Sequence, residues 1–145
     1  MYVIDSSIFL SGFFDYEPYH KESQKCLRYF KENPSVSVFL PEFVIPEIGC
    51  VISRRIKKSK LGIEFAKSLR GFVNFKFIPV DRYIADLSLE IGSFLNLKGA
   101  DAIFVAVAYN FNSTLISLDK EHLEKAKRLI KVIHPKDFYL AANFF

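Results

Sequence analysis

Residues 1–10 read MYVIDSSIFL, and the fold turns on the first half of that stretch. Tyr2-Val3-Ile4 is a short apolar run of the kind that forms a buried strand, and Asp5 closes it. A carboxylate at the end of a buried strand is costly to desolvate unless something satisfies it. Two readings are open. Asp5, or Ser6, caps a helical or turn segment over SSIFLSGFF; alternatively, Asp5 is held there to bind something positive.

The opening pattern recurs along the chain. VSVFL (36–40), FKFIPV (75–80), STLISLD (113–119) and KVI (131–133) are further short strands, the last ended by His134-Pro135. Helical segments separate them. The first runs from Pro18 to about Lys31, with Tyr19, Cys26, Leu27 and Phe30 on one face, and Asn33-Pro34 breaks it. The second has its regular part starting at Pro46, in the first helical position. Others cover 61–70, ended by Gly71, then Asp81 to Leu95, and KEHLEKAKRL (120–129), with a short one over DFYLAANFF (137–145). DAIFVAVAY (101–109) suits either a strand or a buried helix, and its alanines and the preceding Gly99 favour the helix. Alternating strands and helices predict an α/β fold, a single-domain three-layer sandwich over residues 1–145. Its central sheet is mostly parallel, of about five strands, with helices on both faces. Ligands of such sheets bind at the strands' carboxyl ends, where Asp5 and Asp119 stand.

Half the residues are hydrophobic and a quarter charged, a globular balance rather than a disordered one. The 16 Phe and absence of Trp imply either a Phe-rich core or an apolar subunit contact. No apolar run approaches the roughly 20 residues of a bilayer span, and no signal-peptide pattern follows Met1. The expectation is a cytoplasmic protein with no membrane partner. Cys26 and Cys50 lack metal spacing and are expected to be buried thiols, so metal chemistry here would rely on oxygen ligands. The net charge of +4 is mild, but Arg54, Arg55, Lys57, Lys58 and Lys60 crowd into RRIKKSK. That cluster is either a solvated helix end matched to the macrodipole or a contact for a polyanion.

Four acids stand in apolar sequence: Asp5 after YVI, Glu47 in FVIPEIGCVI, Asp101 before AIFVAVA and Asp119 after LISL. Each has a local explanation. Asp5, Asp101 and Asp119 can cap helices, and Glu47 favours a helix's positive end. Taken together, their apolar flanks point them into one shared crevice, where they would repel unless a cation intervened. Carboxylates without His or Cys select Mg²⁺ or Mn²⁺, which activates a water against a phosphodiester. On a helix, Glu47, Val51, Arg54 and Lys58 lie near one face, and Arg54 falls about 10 Å along the axis from Glu47. There a guanidinium could hold a neighbouring phosphate.

These blocks resemble the PIN-domain ribonucleases, most closely the VapC toxins of VapBC toxin–antitoxin pairs. VIDSSIF matches the family's opening strand ending in Asp, IPEIGCVISRR its helical Glu, GADAIFVAVA its Asp-Ala helix and LISLD its second strand ending in Asp. The resemblance implies Asp5, Glu47, Asp101 and Asp119 as metal-binding catalytic acids. Ser7 stands where the family usually has Asn, and Ser117 where Thr is commoner; both keep a hydroxyl for supporting hydrogen bonds. Arg54, Arg55 and Lys58 become candidates for substrate binding. The resemblance further implies Mg²⁺- or Mn²⁺-dependent cleavage of RNA, a cognate antitoxin and a homodimer. Two alternatives stand beside the toxin: a PIN-domain RNA-processing nuclease without an antitoxin, and a non-catalytic RNA- or protein-binding module. Phosphoryl transfer of the haloacid-dehalogenase type is disfavoured, because Ser7 occupies the place of its second Asp.

Overall fold

The computed structural model describes residues 1–142. Five short strands, β1 (Tyr2–Ile4), β2 (Val38–Pro41), β3 (Phe75–Ile78), β4 (Thr114–Ile116) and β5 (Val132–Ile133), form one sheet in the order β3-β2-β1-β4-β5. Every pairing is parallel, with Tyr2 opposite both Val38 and Thr114. The three inner strands are apolar because both their faces are covered: Val3, Ile4, Val38, Leu40, Leu115 and Ile116 are fully buried.

Connections between parallel strands are right-handed, so the direction of travel decides which face each helix covers. From β1 to β2 to β3 the chain moves outward through α1 (Ser6–Phe13), α2 (His20–Glu32), α3 (Val44–Ile56) and α4 (Ser59–Ser68). It then doubles back across the sheet through α5 (Arg82–Leu95) and α6 (Gly99–Asn110) to β4, which assigns these two to the opposite face. Consistent with this, α6 packs across β2, β1 and β4, with α5 on its outside. The stretch 101–109 is thus the buried helix that its alanines favour, with Ala102 and Phe104–Ala108 in the core. After β4 come α7 (Lys120–Lys125), β5 and α8 (Pro135–Ala142), and α8 packs against α2. The reversal between β1 and β4 is a topological switch point, where diverging connections leave a crevice at the strands' carboxyl ends.

The Phe content goes largely into the core. Phe9, Phe30, Phe104 and Phe138 are fully buried, and Phe30 and Phe138 meet Tyr2 edge-on at ring separations of 5.3 and 5.6 Å, a favoured aromatic geometry. Several expectations are corrected. Pro46 is the third residue of α3, not the first; a first-turn proline is tolerated because its missing N–H would have no helical partner. Tyr19 does not share the buried face of α2 but precedes it, exposed, with left-handed backbone (φ 61°). Cys26 is buried, its thiol pKa pushed up to about 12 by desolvation, whereas Cys50 is exposed. The expected terminal helix begins at Pro135, and residues 143–145 lie outside the described part. Among the described residues, no single helix is long and apolar enough to cross a membrane.

One contact depends on glycine. A Cβ on Gly62 would stand 2.3 Å from the Gly49 carbonyl and 2.1 Å from Ser53 Oγ. Glycine therefore lets α4 close onto α3, and this hairpin fixes the direction in which the end of α3 presents its basic residues.

Candidate active site

Asp5 follows β1 with extended backbone (φ −69°, ψ 151°), yet its side chain makes no capping bond to α1. It is buried and accepts hydrogen bonds at Oδ2 from Ser7 Oγ (2.6 Å) and Ser117 Oγ (2.9 Å). The cap is therefore not its role, nor that of Ser6, which is already the first residue of α1. Ser7 Oγ also accepts from the Leu118 N–H at 3.1 Å, so one hydroxyl stitches the end of β1 to the end of β4.

His122 completes this network, and the sequence reading had no place for it. It is fully buried on the inward face of α7, four residues before buried Ala126. Nδ1 lies 3.0 Å from Ser117 Oγ and 3.7 Å from Asp5 Oδ2. Nε2 lies 3.1 Å from the Asp101 carbonyl oxygen and 3.9 Å from Asp101 Oδ1. The protons can be assigned from these partners. Ser117 gives its one proton to Asp5 and accepts from the Asp119 N–H at 3.0 Å, so His122 Nδ1 must donate to its second lone pair. The Asp101 carbonyl only accepts, so Nε2 also donates. His122 is therefore an imidazolium. Burial alone would lower its pKa, but the nearby Asp5 carboxylate, then the contacts with Asp101, raise it to about 9. Asp5 responds in the opposite sense. Burial would raise its carboxyl, but His122, Ser7 and Ser117 outweigh that and hold it below the ordinary range.

The other acids approach from separate elements. Glu47, in the first turn of α3, is half-buried, with Oε2 shielded from solvent and lacking a hydrogen-bond partner. Desolvation, opposed by the Ser6 hydroxyl and reinforced by the charges of Asp5 and Asp101, lifts its pKa to about 6. Asp101 is the third residue of α6, whose cap position is Lys98, so it is not the cap either. Burial raises its pKa, His122 opposes this, and Asp119 and Asp5 push it further up. Asp119 does cap: its Oδ1 accepts from the Glu121 N–H (2.7 Å) and the His122 N–H (3.4 Å) at the start of α7. Asp5 and Asp101 thus press on Glu47, and Asp119 and Asp5 on Asp101, as repelling neighbours do, with the His122 cation between Asp5 and Asp101.

One imidazolium cannot balance four carboxylates. The all-oxygen donor set suits a hard divalent cation, and the orphaned Glu47 Oε2 is an atom such a cation would satisfy. Among the described residues, no three His, Cys, Asp or Glu side chains stand close enough together to hold a metal as they are. The acids fit the ion in chemistry, though not in the side-chain positions they occupy here.

The basic candidates separate. α3 ends at Ile56, followed by Lys57 in the left-handed region (φ 59°) and Lys58 in extended backbone. Lys58 therefore leaves the helical face shared by Glu47, Val51 and Arg54. Arg54 lines an apolar groove between α3 and α4. Arg55 turns toward α1: its guanidinium lies 5.0 Å above the Phe14 ring, Nη1 bonds Glu17 Oε1 at 2.5 Å, and it borders a cavity that Ser7 also lines. Lys60 pairs at the surface with Glu64.

Comparison with known proteins adds a family and a set of folds. The family model for the PIN domain matches residues 2–129. No curated protein gives a significant sequence match. Among solved structures, a toxin–antitoxin complex from Klebsiella pneumoniae superposes with a TM-score of 0.65 at 18% identity, covering 93% of this chain and 98% of that one. FitAcB from Neisseria gonorrhoeae gives 0.68 at 17% identity, covering 94% and 99%. VapC20 from Mycobacterium tuberculosis, described as a sarcin-ricin loop cleaving toxin, gives 0.64 at 16% identity, covering 83% and 91%. At these identities the likeness is one of fold.

Proposed function

This chain belongs to the PIN domain family, and on that premise we propose that it is a Mg²⁺- or Mn²⁺-dependent endoribonuclease acting as the toxin of a toxin–antitoxin pair. The observation that carries the nuclease reading is the half-buried Glu47, whose unpartnered Oε2 sits among the charges of Asp5 and Asp101. Asp5, Glu47, Asp101 and Asp119 would hold the ion. When bound, the ion lowers the pKa of the attacking water and stabilises the charge that develops on the phosphodiester.

The chain's own groups prepare that site. Ser7 and Ser117 fix the rotamer of Asp5, and His122 keeps its carboxyl ionised while anchoring the start of α6 through the Asp101 carbonyl. Glu47, lifted to a pKa of about 6 by burial beside Asp5 and Asp101, would be held ionised by the bound cation, so proton and ion compete for it. The cap that Asp119 makes starts α7, the helix that carries His122. The toxin role rests on likeness to toxins solved with their antitoxins; a homodimer and a cognate antitoxin belong to the same proposal.

The test is RNA cleavage by purified protein with Mg²⁺ or Mn²⁺. Cleavage is expected in wild type and lost in Asp5→Asn and Asp101→Asn, with thermal melts showing both variants folded. Undiminished cleavage by both would overturn the assignment. Growth arrest on expression, relieved by a small neighbouring gene, tests the toxin role.

A further inference from the structure

Beside the acids lies a second feature that the nuclease reading does not use. The segment 14–19 crosses from α1 to α2, and its Glu17, Pro18 and Tyr19, with Ser7, Arg55 and Leu118, border a cavity of about 300 Å³. Ser7 is also a direct partner of Asp5, so the cavity opens immediately next to the acidic site. The segment is clamped rather than loose. Ser11 Oγ donates to the Pro18 carbonyl at 2.8 Å, and the His20 ring meets the Ser11 carbonyl at 2.7 Å.

Between those clamps stands Tyr19, with φ 61° and ψ 25°. A non-glycine residue in the left-handed region is strained, and no side-chain cap offsets it here: the side chain makes no capping bond and the residue is 44% exposed. What the conformation achieves is placement. The ring stands edge-on to His134, at the carboxyl end of β5, at 4.4 Å between centroids, on the same sheet edge as Asp5. Across the cavity, Arg55 is pinned over Phe14 by Glu17. A guanidinium has five N–H donors, so this ion pair orients the group while leaving donors for a further acceptor.

A rigid aromatic face and an oriented arginine, one cavity apart, form the pattern by which proteins hold single-stranded nucleic acid: base on ring, phosphate on cation. We propose that this cavity is a subsite for one unpaired nucleotide next to the scissile phosphodiester, its base on Tyr19 and its phosphate on Arg55. The proposal rests on the nuclease reading and specifies its substrate, since a base locked in a duplex cannot enter. It also distinguishes the two adjacent arginines, assigning the substrate contact to Arg55 and not to Arg54.

The experiment measures binding of a 5′-labelled, unstructured oligouridylate by fluorescence anisotropy, alongside kcat and KM for its cleavage. Tyr19→Asn removes the ring but suits left-handed backbone, so the fold survives; Tyr19→Phe keeps the ring. The ring would stack one base, so Tyr19→Asn is expected to raise Kd and KM about tenfold with kcat little changed. Tyr19→Phe should stay near wild type. Arg55→Gln should weaken binding and flatten its salt dependence by about one phosphate contact. Tyr83→Ala, at an exposed tyrosine on α5, should change nothing. The proposal is overturned if Tyr19→Asn binds and cleaves as wild type does, or if a duplex binds as tightly as the single strand. Cleavage that is lost in Asp5→Asn yet untouched in Tyr19→Asn would sink the subsite and leave the nuclease standing. A wild type that neither binds nor cleaves RNA sinks both.

Discussion

Replacing His122 with leucine tests the internal cation that organises the acids. In the folded chain its pKa rises from 6.5 to about 9, and at ~1.4 kcal/mol per tenfold in the proton equilibrium this is about 3 kcal/mol. The direct estimate agrees: removing one partner of a buried ion pair costs ~3–5 kcal/mol, because Asp5 would stay buried with only Ser7 and Ser117 to serve it. The sign follows from linkage. Between pH 6.5 and 9 the folded protein holds a proton that the unfolded chain has released, so the stabilisation is complete below 6.5 and drains away as pH rises through 9. The assay is urea denaturation with EDTA present, in steps from pH 6 to 10, for wild type and His122→Leu. The gap should be about 3 kcal/mol at pH 6.5 and shrink steadily toward pH 10. A gap that stays constant over that range would mean His122 is neutral, and the proton assignment would be wrong.

Other consequences are quicker to check. Ser7→Ala removes a donor to Asp5 and orphans the Leu118 N–H; a loss of about 1–3 kcal/mol in denaturant unfolding is expected. Gly62→Ala forces a methyl against the Gly49 carbonyl and should cost about 1–3 kcal/mol. Gly71→Ala meets nothing within 4 Å and should fall within roughly 0.5 kcal/mol of wild type in the same melts. A thiol reagent should label Cys50 in the native protein, whereas Cys26, buried with a pKa of about 12, should react only on unfolding; native labelling of both would contradict the packing of α2.

The parts of the fold that were legible share a physical cause. Strands covered on both faces must be continuously apolar, so YVI, VFL and LI announced themselves, and the acids ending such runs stood out against them. Asp119 shows the limit of local reading: its cap was foreseen and is real, yet the same residue also presses on Asp101 from across the crevice. Lys58 does not share the helical face of Glu47, because α3 stops at Ile56 with Lys57 in left-handed backbone, and no Gly or Asn marks that stop. Adjacent Arg54 and Arg55 point about 100° apart on a helix, and only tertiary packing shows that Arg54 faces the α3–α4 groove while Arg55 meets Phe14 and Glu17. His122 was missed because its partners, Asp5, Ser117 and the Asp101 carbonyl, come from three separate elements. The one local signal was its place four residues before Ala126 on the inward face of α7.

The central claim is that the four acids form a divalent-cation site, and Mn²⁺ titration calorimetry tests it without recourse to activity. At pH 7.5 wild type should bind Mn²⁺, with affinity falling as pH drops through about 6, where protons compete for Glu47. Glu47→Gln and Asp101→Asn should each weaken binding by about tenfold or more, a loss of ~1.4 kcal/mol. Wild type that takes up no Mn²⁺, or variants that bind it unchanged, would contradict the account.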